Sequence, residues 1–341
     1  MLNFLFVILL LLIGGCDEDR QSLSFIDSDD SWVFVANEGS WGESNGSVSM
    51  IDGFGNVYET EFLGDIVQSL AVYNNQLIVS VNNSYKIMIF DIGNEGLTNK
   101  LEISMEGFAP REIEIIDGRA YIGVWNPDYN VYQSLPGHIK VLNLETLEIE
   151  QDIEVGIMPE GLMFDSNYLW VANSGESSIS KIDVSINSVV ETVDVGDGPQ
   201  NLIQYNGDIY ISRTFYSPDW HTYHGSSKIT DSHQVIINNY GSGVACGGAV
   251  LKHDNNVYRS YNGGISPLDE NLNIIELDKI GDYAQDEVYH VELVGSNIWF
   301  GIRDLSDGGG TIKVVNSYSG EELTSYHVGI NPGDFAVWRN N

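Results

Sequence analysis

Hydrophobic residues along this chain fall in short alternating runs, not in the i, i+3, i+4 stripes of helices. The clearest runs are Val33-Phe34-Val35-Ala36-Asn37-Glu38-Gly39 and Leu169-Trp170-Val171-Ala172-Asn173-Ser174-Gly175. Weaker copies begin at Leu77, Ala120, Ile209, Val257 and Ile298, so the unit returns at a spacing of about 40 to 50 residues. A second alternating run follows each copy, at 47–51, 86–92, 138–144, 178–184, 227–231, 264–269 and 311–315. A further short run often ends in glycine, as at Gly64, Gly156, Gly196, Gly281 and Gly329. Seven units of four short strands predict an all-β fold, a seven-bladed β-propeller.

The blades divide at 66–106, 108–156, 157–196, 197–241, 242–281 and 282–329 for blades two to seven. Blade one is incomplete at its start, because 32–64 supplies only three strands. The C-terminal run 330–338 supplies the missing inner strand, and pairing of the two ends closes the ring without a free radial edge. Leu70, Ile113, Leu162, Leu202, Val291 and Phe335 then line up as inner-strand core, and Trp32, Trp170, Trp299 and Trp338 read as packing residues.

Composition agrees with this picture: 43% apolar residues, 36 Gly and 18 Tyr suit short strands joined by tight turns. Fifteen basic against forty-nine acidic residues give a net charge of −34, which argues against nucleic acid and anionic headgroups as partners.

The N-terminus carries an apolar run over 4–13, too short to span a bilayer and suited to a signal peptide. It ends in Ile13-Gly14-Gly15-Cys16, which resembles the bacterial lipobox. The resemblance implies a signal peptide at 1–15 and lipidation of Cys16; an acidic tether at 16–30 then leads into the propeller of the repeats at 31–341. Asp17-Glu18-Asp19 behind the cysteine resembles the surface-export signal of Bacteroidota lipoproteins, implying an outer-membrane protein anchored by lipid and exposed at the cell surface. An ordinary secretory signal followed by a solvated linker is the alternative. Cys246 has no partner once Cys16 is lipidated, so no disulfide is expected.

Ligand candidates gather in the loops joining the second and third strands of each blade. The longest of these loops are 125–136 and 213–225. Trp41, Asn82, Tyr85, Trp125, Tyr129, Tyr132, Phe215, Tyr216, Trp220, Tyr223 and Tyr261 would form a rim at one face, as a ligand platform or as aromatics that pack on one another. Aligning the repeats on Pro110, Pro159, Pro199 and Pro332 puts Gln68, Arg111, Glu160, Gln200 and Tyr289 at equivalent channel-mouth positions. These could orient a polar ligand, or bind one another and channel water.

Catalytic motifs are absent: there is no G-x-S-x-G, P-loop or H-E-x-x-H, so no enzyme is required. No metal site stands out. His221 and His224 lack a helix to align them, and the acidic turns at 304–310 and 282–287 leave Ca²⁺ only as a candidate.

The repeats resemble the YVTN, or YncE-like, β-propeller family, on Leu169-Trp170-Val171-Ala172-Asn173, Ile179-Ser180-Lys181-Ile182-Asp183 and Val195-Gly196-Asp197-Gly198-Pro199. A closer resemblance is to the BtuG-like surface lipoproteins of Bacteroidota, which capture vitamin B12 for a TonB-dependent transporter. It rests on Asn37-Glu38-Gly39, Asp65-Ile66-Val67-Gln68-Ser69-Leu70, Val81-Asn82-Asn83-Ser84 and Val328-Gly329-Ile330-Asn331-Pro332-Gly333-Asp334-Phe335. This implies capture of a corrinoid (cobalamin) for an outer-membrane TonB-dependent transporter, with no covalent cofactor. The alternatives are a propeller enzyme of lactonase or lyase type, or a surface protein that binds glycan or protein.

Overall fold

The computed structural model describes residues 31–126, 135–242, 248–305 and 308–340. They form seven antiparallel sheets arranged as a seven-bladed propeller. Blade one consists of Pro332–Arg339, Ser31–Asn37, Ser47–Asp52 and Val57–Glu59, in that spatial order. The chain closes as its ends predict: Val35 pairs with Phe335 and Trp32 with Trp338.

Five of the remaining blades have four strands. Blade six has three among the described residues, Val250–His253, Asn256–Tyr261 and Gly264–Pro267. Its outer edge is a 3₁₀ turn, Glu276–Asp278, with isolated bridges Leu268–Ile274 and Ile265–Ile280 on either side. No helix among the described residues is long and apolar enough to cross a membrane.

The second strands of the blades read as nearly continuous apolar runs because both of their faces are buried. In Ser31–Asn37, Val33 and Val35 pack toward Trp299, Ile312 and Val314 of blade seven. Trp32, Phe34 and Ala36 pack toward Leu77, Val79 and Met88 of blade two. A separate apolar cluster fills every junction between neighbouring blades, seven in all. Leu70, Ile113, Leu162, Leu202, Val291 and Phe335 are all buried, as are the four core tryptophans.

One expected loop is not a loop. Residues 213–225 form an extended hairpin, because Asp208–Tyr216 and Thr222–Ile229 pair as far out as Tyr216–Thr222. The alternation Arg213-Thr214-Phe215-Tyr216 is itself strand-like, and Phe215 stacks on its cross-strand partner Tyr223 at 5.9 Å.

Candidate functional site

Six blades share one irregularity. Near the start of each inner strand the pairing register slips, so that the inner strand carries one more residue than its neighbour. The slips fall between Val67 and Ser69, Pro110 and Ile113, Pro159 and Leu162, Pro199 and Leu202, and Val288 and His290. The one in blade one falls opposite Ala36 and Asn37. A β-bulge kinks its strand and re-aims side chains. Here the bulge residues turn into the central channel.

They line a cavity of about 440 Å³ at the channel mouth. All seven blades contribute to it, and its wall includes every one of the predicted channel-mouth residues: Gln68, Arg111, Glu160, Gln200 and Tyr289. Four of these join Glu38 in a continuous chain. The Tyr289 hydroxyl donates to Glu38 Oε2 at 2.5 Å, and Gln68 Nε2 donates to Glu38 Oε1 at 3.3 Å. Arg111 Nη1 donates to Gln68 Oε1 at 2.5 Å, Arg111 Nε donates to Glu160 Oε2 at 2.9 Å, and Arg111 Nη2 reaches Glu160 Oε1. Trp125 lies flat against the guanidinium, 4.2 Å from ring centre to Arg111 Cζ, and is held there by its indole N–H on the Pro159 carbonyl.

A second tier lies one residue further along the inner strands: Ser69, Glu112, Asn201, His290 and Asp334. Ser69 Oγ donates to Glu112 at 3.2 Å, while Asp334 accepts the backbone N–H of Leu70 at 2.6 Å and of Phe335 at 2.9 Å. Burial, then the charge of Asp334, pushes Glu112 up to about 8; burial, then Glu292, does the same to Asp334. Burial alone raises Glu114 to about 7, and it raises Glu38 against the pull of the Tyr289 hydrogen bond. The acceptor atoms of His290, Glu292 and Asp334 lie within 4.8 Å of one another, so these three are the residues here that could hold a cation.

The rim residues have separate fates. Trp41, Tyr216 and Trp220 stand exposed on the mouth side, Tyr216 and Trp220 with ring centres 6.2 Å apart, and Tyr216 also lines the cavity. Trp125 supports the network. Asn82 is buried, its amide donating to the Pro110 carbonyl, so it braces blade three against blade two. Tyr85 ends a 3₁₀ turn in left-handed conformation, and Tyr261 donates to Glu276. Tyr129, Tyr132, Cys16 and Cys246 lie outside the described residues. His221 is exposed beside Asp219, whereas His224 is buried three positions on, so the two rings do not converge.

Sequence reasoning missed Glu38 and the second tier. Period-two alternation predicts that the residue after a channel-facing one points away. The bulge breaks that rule and brings Glu112, His290 and Asp334 in beside Arg111, Tyr289 and Gly333.

A closed propeller with an acidic, hydrogen-bonded cavity at its mouth is thus the class of protein that fold and site define. Within it, the chain belongs to the family described as a domain of unknown function, DUF5074, which it matches over residues 31–264. No curated protein matches it. Among solved structures, a Bacteroides fragilis protein provisionally named a 6-phosphogluconolactonase is 13% identical. The match covers 92% of this chain and 99% of that one, with a TM-score of 0.62. A Bacteroides uniformis protein with the same provisional name is 12% identical over 91% and 100% of the two chains, also at 0.62. A Lactobacillus plantarum protein is 11% identical over 91% and 100%, at 0.64. Similarity at this level establishes the fold and leaves the chemistry to the site itself.

Proposed function

We propose that this protein captures a cofactor-sized, amide-bearing ligand over the channel mouth, and we infer a corrinoid as that ligand. The observation that carries the reading is the Tyr289–Glu38–Gln68–Arg111–Glu160 chain, which joins polar groups from five blades in one cavity. Its phenol, amide and guanidinium groups suit a ligand fringed with amides. Exposed Trp41, Tyr216 and Trp220 offer flat apolar surface beside it. A cavity of about 440 Å³ takes one edge of such a ligand, and the aromatics would cover the rest.

Lipid anchoring at Cys16 and delivery to a TonB-dependent transporter belong to the same proposal, which rests for them on the resemblances of the sequence. The geometry is compatible with it. Ser31 lies at the end of its strand that pairs with Arg339, and Asn37 at the other end, beside Pro332 and the mouth. A tether ahead of Ser31 therefore joins the face opposite the cavity and would leave the mouth directed away from the membrane.

One observation favours a hydrolytic reading instead: Glu112 and Asp334, held largely protonated near neutrality, sit in the cavity with His290 and could exchange protons with a substrate. A phosphorylated sugar lactone suits this cavity poorly. Arg111 and His290 are the basic side chains in its wall, and the Arg111 guanidinium is already paired with Glu160.

The test is calorimetric titration with cobalamin and cobinamide, wild type against Arg111→Gln. The expected result is binding by the wild type and a loss of about tenfold or more in the variant, since a charge-assisted hydrogen-bonding group is removed. No heat from either corrinoid at high micromolar concentration rejects the ligand. Turnover of a neutral lactone that is lost in Glu112→Gln would favour the enzyme.

A further inference from the structure

The junction between blades five and six differs from the other six. It has the fewest fully buried apolar residues, Val250, Val257, Leu268 and Leu272; half-buried ones such as Ile203, Tyr210 and Ile236 pack around them, and buried polar side chains lie beside this cluster. Arg259 is fully buried there. Its Nη1 donates to Ser226 Oγ at 3.1 Å and to the Gly225 carbonyl, and its Nε donates to the Ser260 carbonyl at 3.1 Å. Every partner is neutral. Among the described residues no carboxylate pairs with this guanidinium, and residues 243–247 contain no acidic side chain. Tyr240, whose ring lies 5.2 Å from Arg259 Cζ, is a neutral phenol that donates its hydroxyl to the Leu272 carbonyl.

Among the described residues, four buried polar atoms at this junction have no partner at hydrogen-bonding distance and angle: Arg259 Nη2, Ser266 Oγ, His224 Nδ1 and Thr214 Oγ1. They come from two cross-strand pairs. Arg259 is opposite Ser266 in blade six, and Thr214 is opposite His224 in blade five. Cross-strand partners project to the same side of a sheet. Thr214 and His224 share a face with the Ser212–Ser226 pair, and Ser226 is the residue that Arg259 contacts, so the two sets face each other across the junction. The His224 ring lies 5.7 Å from Tyr240, beside the guanidinium. Burial, then the charge of Arg259, holds His224 at about 4, so its ring is neutral near pH 7 and one ring nitrogen carries a hydrogen to donate.

A buried guanidinium without a counter-charge is costly, and each buried donor left unmade adds to the cost. The same set of groups (one guanidinium, two hydroxyls and a neutral imidazole, all able to donate) is the donor set that a small anion requires. We propose that the blade five–six junction holds a small monovalent inorganic anion of the halide class, ligated by Arg259, Ser266, Thr214 and His224. The anion supplies the negative charge that Arg259 lacks, and it adds a polar tie between these two blades to the thinner apolar packing of their junction. This site is separate from ligand capture at the mouth, although Thr214 also lines that cavity.

The experiment uses bromide, which scatters anomalously, with the full chain. Crystals soaked in sodium bromide should give an anomalous peak within hydrogen-bonding distance of Arg259 and Ser266. In solution the melting temperature should rise with the logarithm of bromide concentration, relative to sodium acetate at equal ionic strength, as for any ligand bound only by the folded state. Ser266→Ala should reduce that halide-specific rise and Arg259→Met should abolish it. The wild-type crystal does not depend on whether Arg259→Met folds. Absence of a bromide peak at the junction, or a halide response unchanged in Ser266→Ala, overturns the proposal and leaves the guanidinium held by neutral oxygens alone.

Discussion

In blade four, Pro159 faces Asn173 across the first two strands, and the Asn173 amide spans Ser178 Oγ at 2.9 Å and Ser180 Oγ at 3.0 Å while its oxygen accepts the Gly156 N–H. Blade one repeats the two amide-to-serine contacts with Pro332, Asn37, Ser47 and Ser49, but the Asn37 oxygen accepts no hydrogen bond among the described residues. In blade five the equivalent partner of Pro199 is Arg213, and Gly225 stands where the first serine would be. A side chain at Gly225 would begin 2.6 Å from Arg213 Nη2 and 2.5 Å from the Asn238 carbonyl, so the larger arginine and the missing side chain belong together. The same blade extends its hairpin outward to exposed Tyr216 and Trp220, and it lines the cavity with Gln200, Asn201, Thr214, Tyr216 and Thr222. Where the repeat is kept, side chains satisfy the blade's own backbone and neighbouring hydroxyls. Where it is broken, Arg213 reaches the blade's own carbonyls at Asp197 and Asn238, and the extended hairpin serves the channel mouth.

Both blades depend on the closed ring, so the severest test removes the closure. Deleting 332–339 strips blade one of its inner strand and exposes the edge of Ser31–Asn37. The expected outcome is loss of a cooperative thermal transition, and a sharp transition in the truncated chain would show that closure is dispensable.

Breaking the blades that keep the repeat should cost less. Asn173→Ala leaves the Gly156 N–H without its acceptor and the buried Ser180 and half-buried Ser178 hydroxyls without their amide, for about 1–3 kcal/mol of stability by denaturant titration. Asn37→Ala removes the two hydroxyl contacts but no backbone acceptor, so it should cost less. A value near zero for both would make the shared amide network incidental.

Glu114, on the inner strand of the blade preceding four, sharpens the comparison through pH. Its carboxyl is raised by burial from 4.5 to about 7. The folded state therefore holds the proton more tightly than the unfolded chain does. The stability this contributes is complete below about pH 4.5 and is lost as pH rises through 7. Glu114→Gln should thus raise the melting temperature by roughly 2 to 4 °C at pH 9 and change little at pH 4. Equal effects at both pH values would assign the change to packing and not to the buried charge.

The broken half of the comparison predicts the smallest change in the fold. Tyr216→Ala and Trp220→Ala remove exposed rings from blade five and should alter stability by no more than about 0.5 kcal/mol. If the rim is the capture surface, each should cost about 2 kcal/mol in corrinoid binding by calorimetry. Trp125→Ala should differ from both, because Trp125 braces Arg111: it should lower binding and the melting temperature together.

Much of this molecule was legible along the chain, and the reason is locality. Alternation, turns and glycines repeat within each blade, so Leu169–Asn173 and its weaker copies define the strands without help from distant residues. The half-blade 32–64 demanded a partner that only 330–338 could supply. Arg111, Glu160, Gln68, Gln200 and Tyr289 were found because a repeat places equivalent positions around one axis. Tertiary structure decided the rest. Bulges in six inner strands turn Glu112, His290 and Asp334 toward the channel against the period-two rule. Trp125 became a brace, Asn82 a buried tie between blades, and 213–225 a paired hairpin, because each depends on what lies opposite in space. Arg259 shows the limit most clearly. Nothing in Val257-Tyr258-Arg259-Ser260-Tyr261 marks it as a buried cation, since burial and lack of a counter-charge are properties of the junction between two blades, and no local pattern encodes a junction.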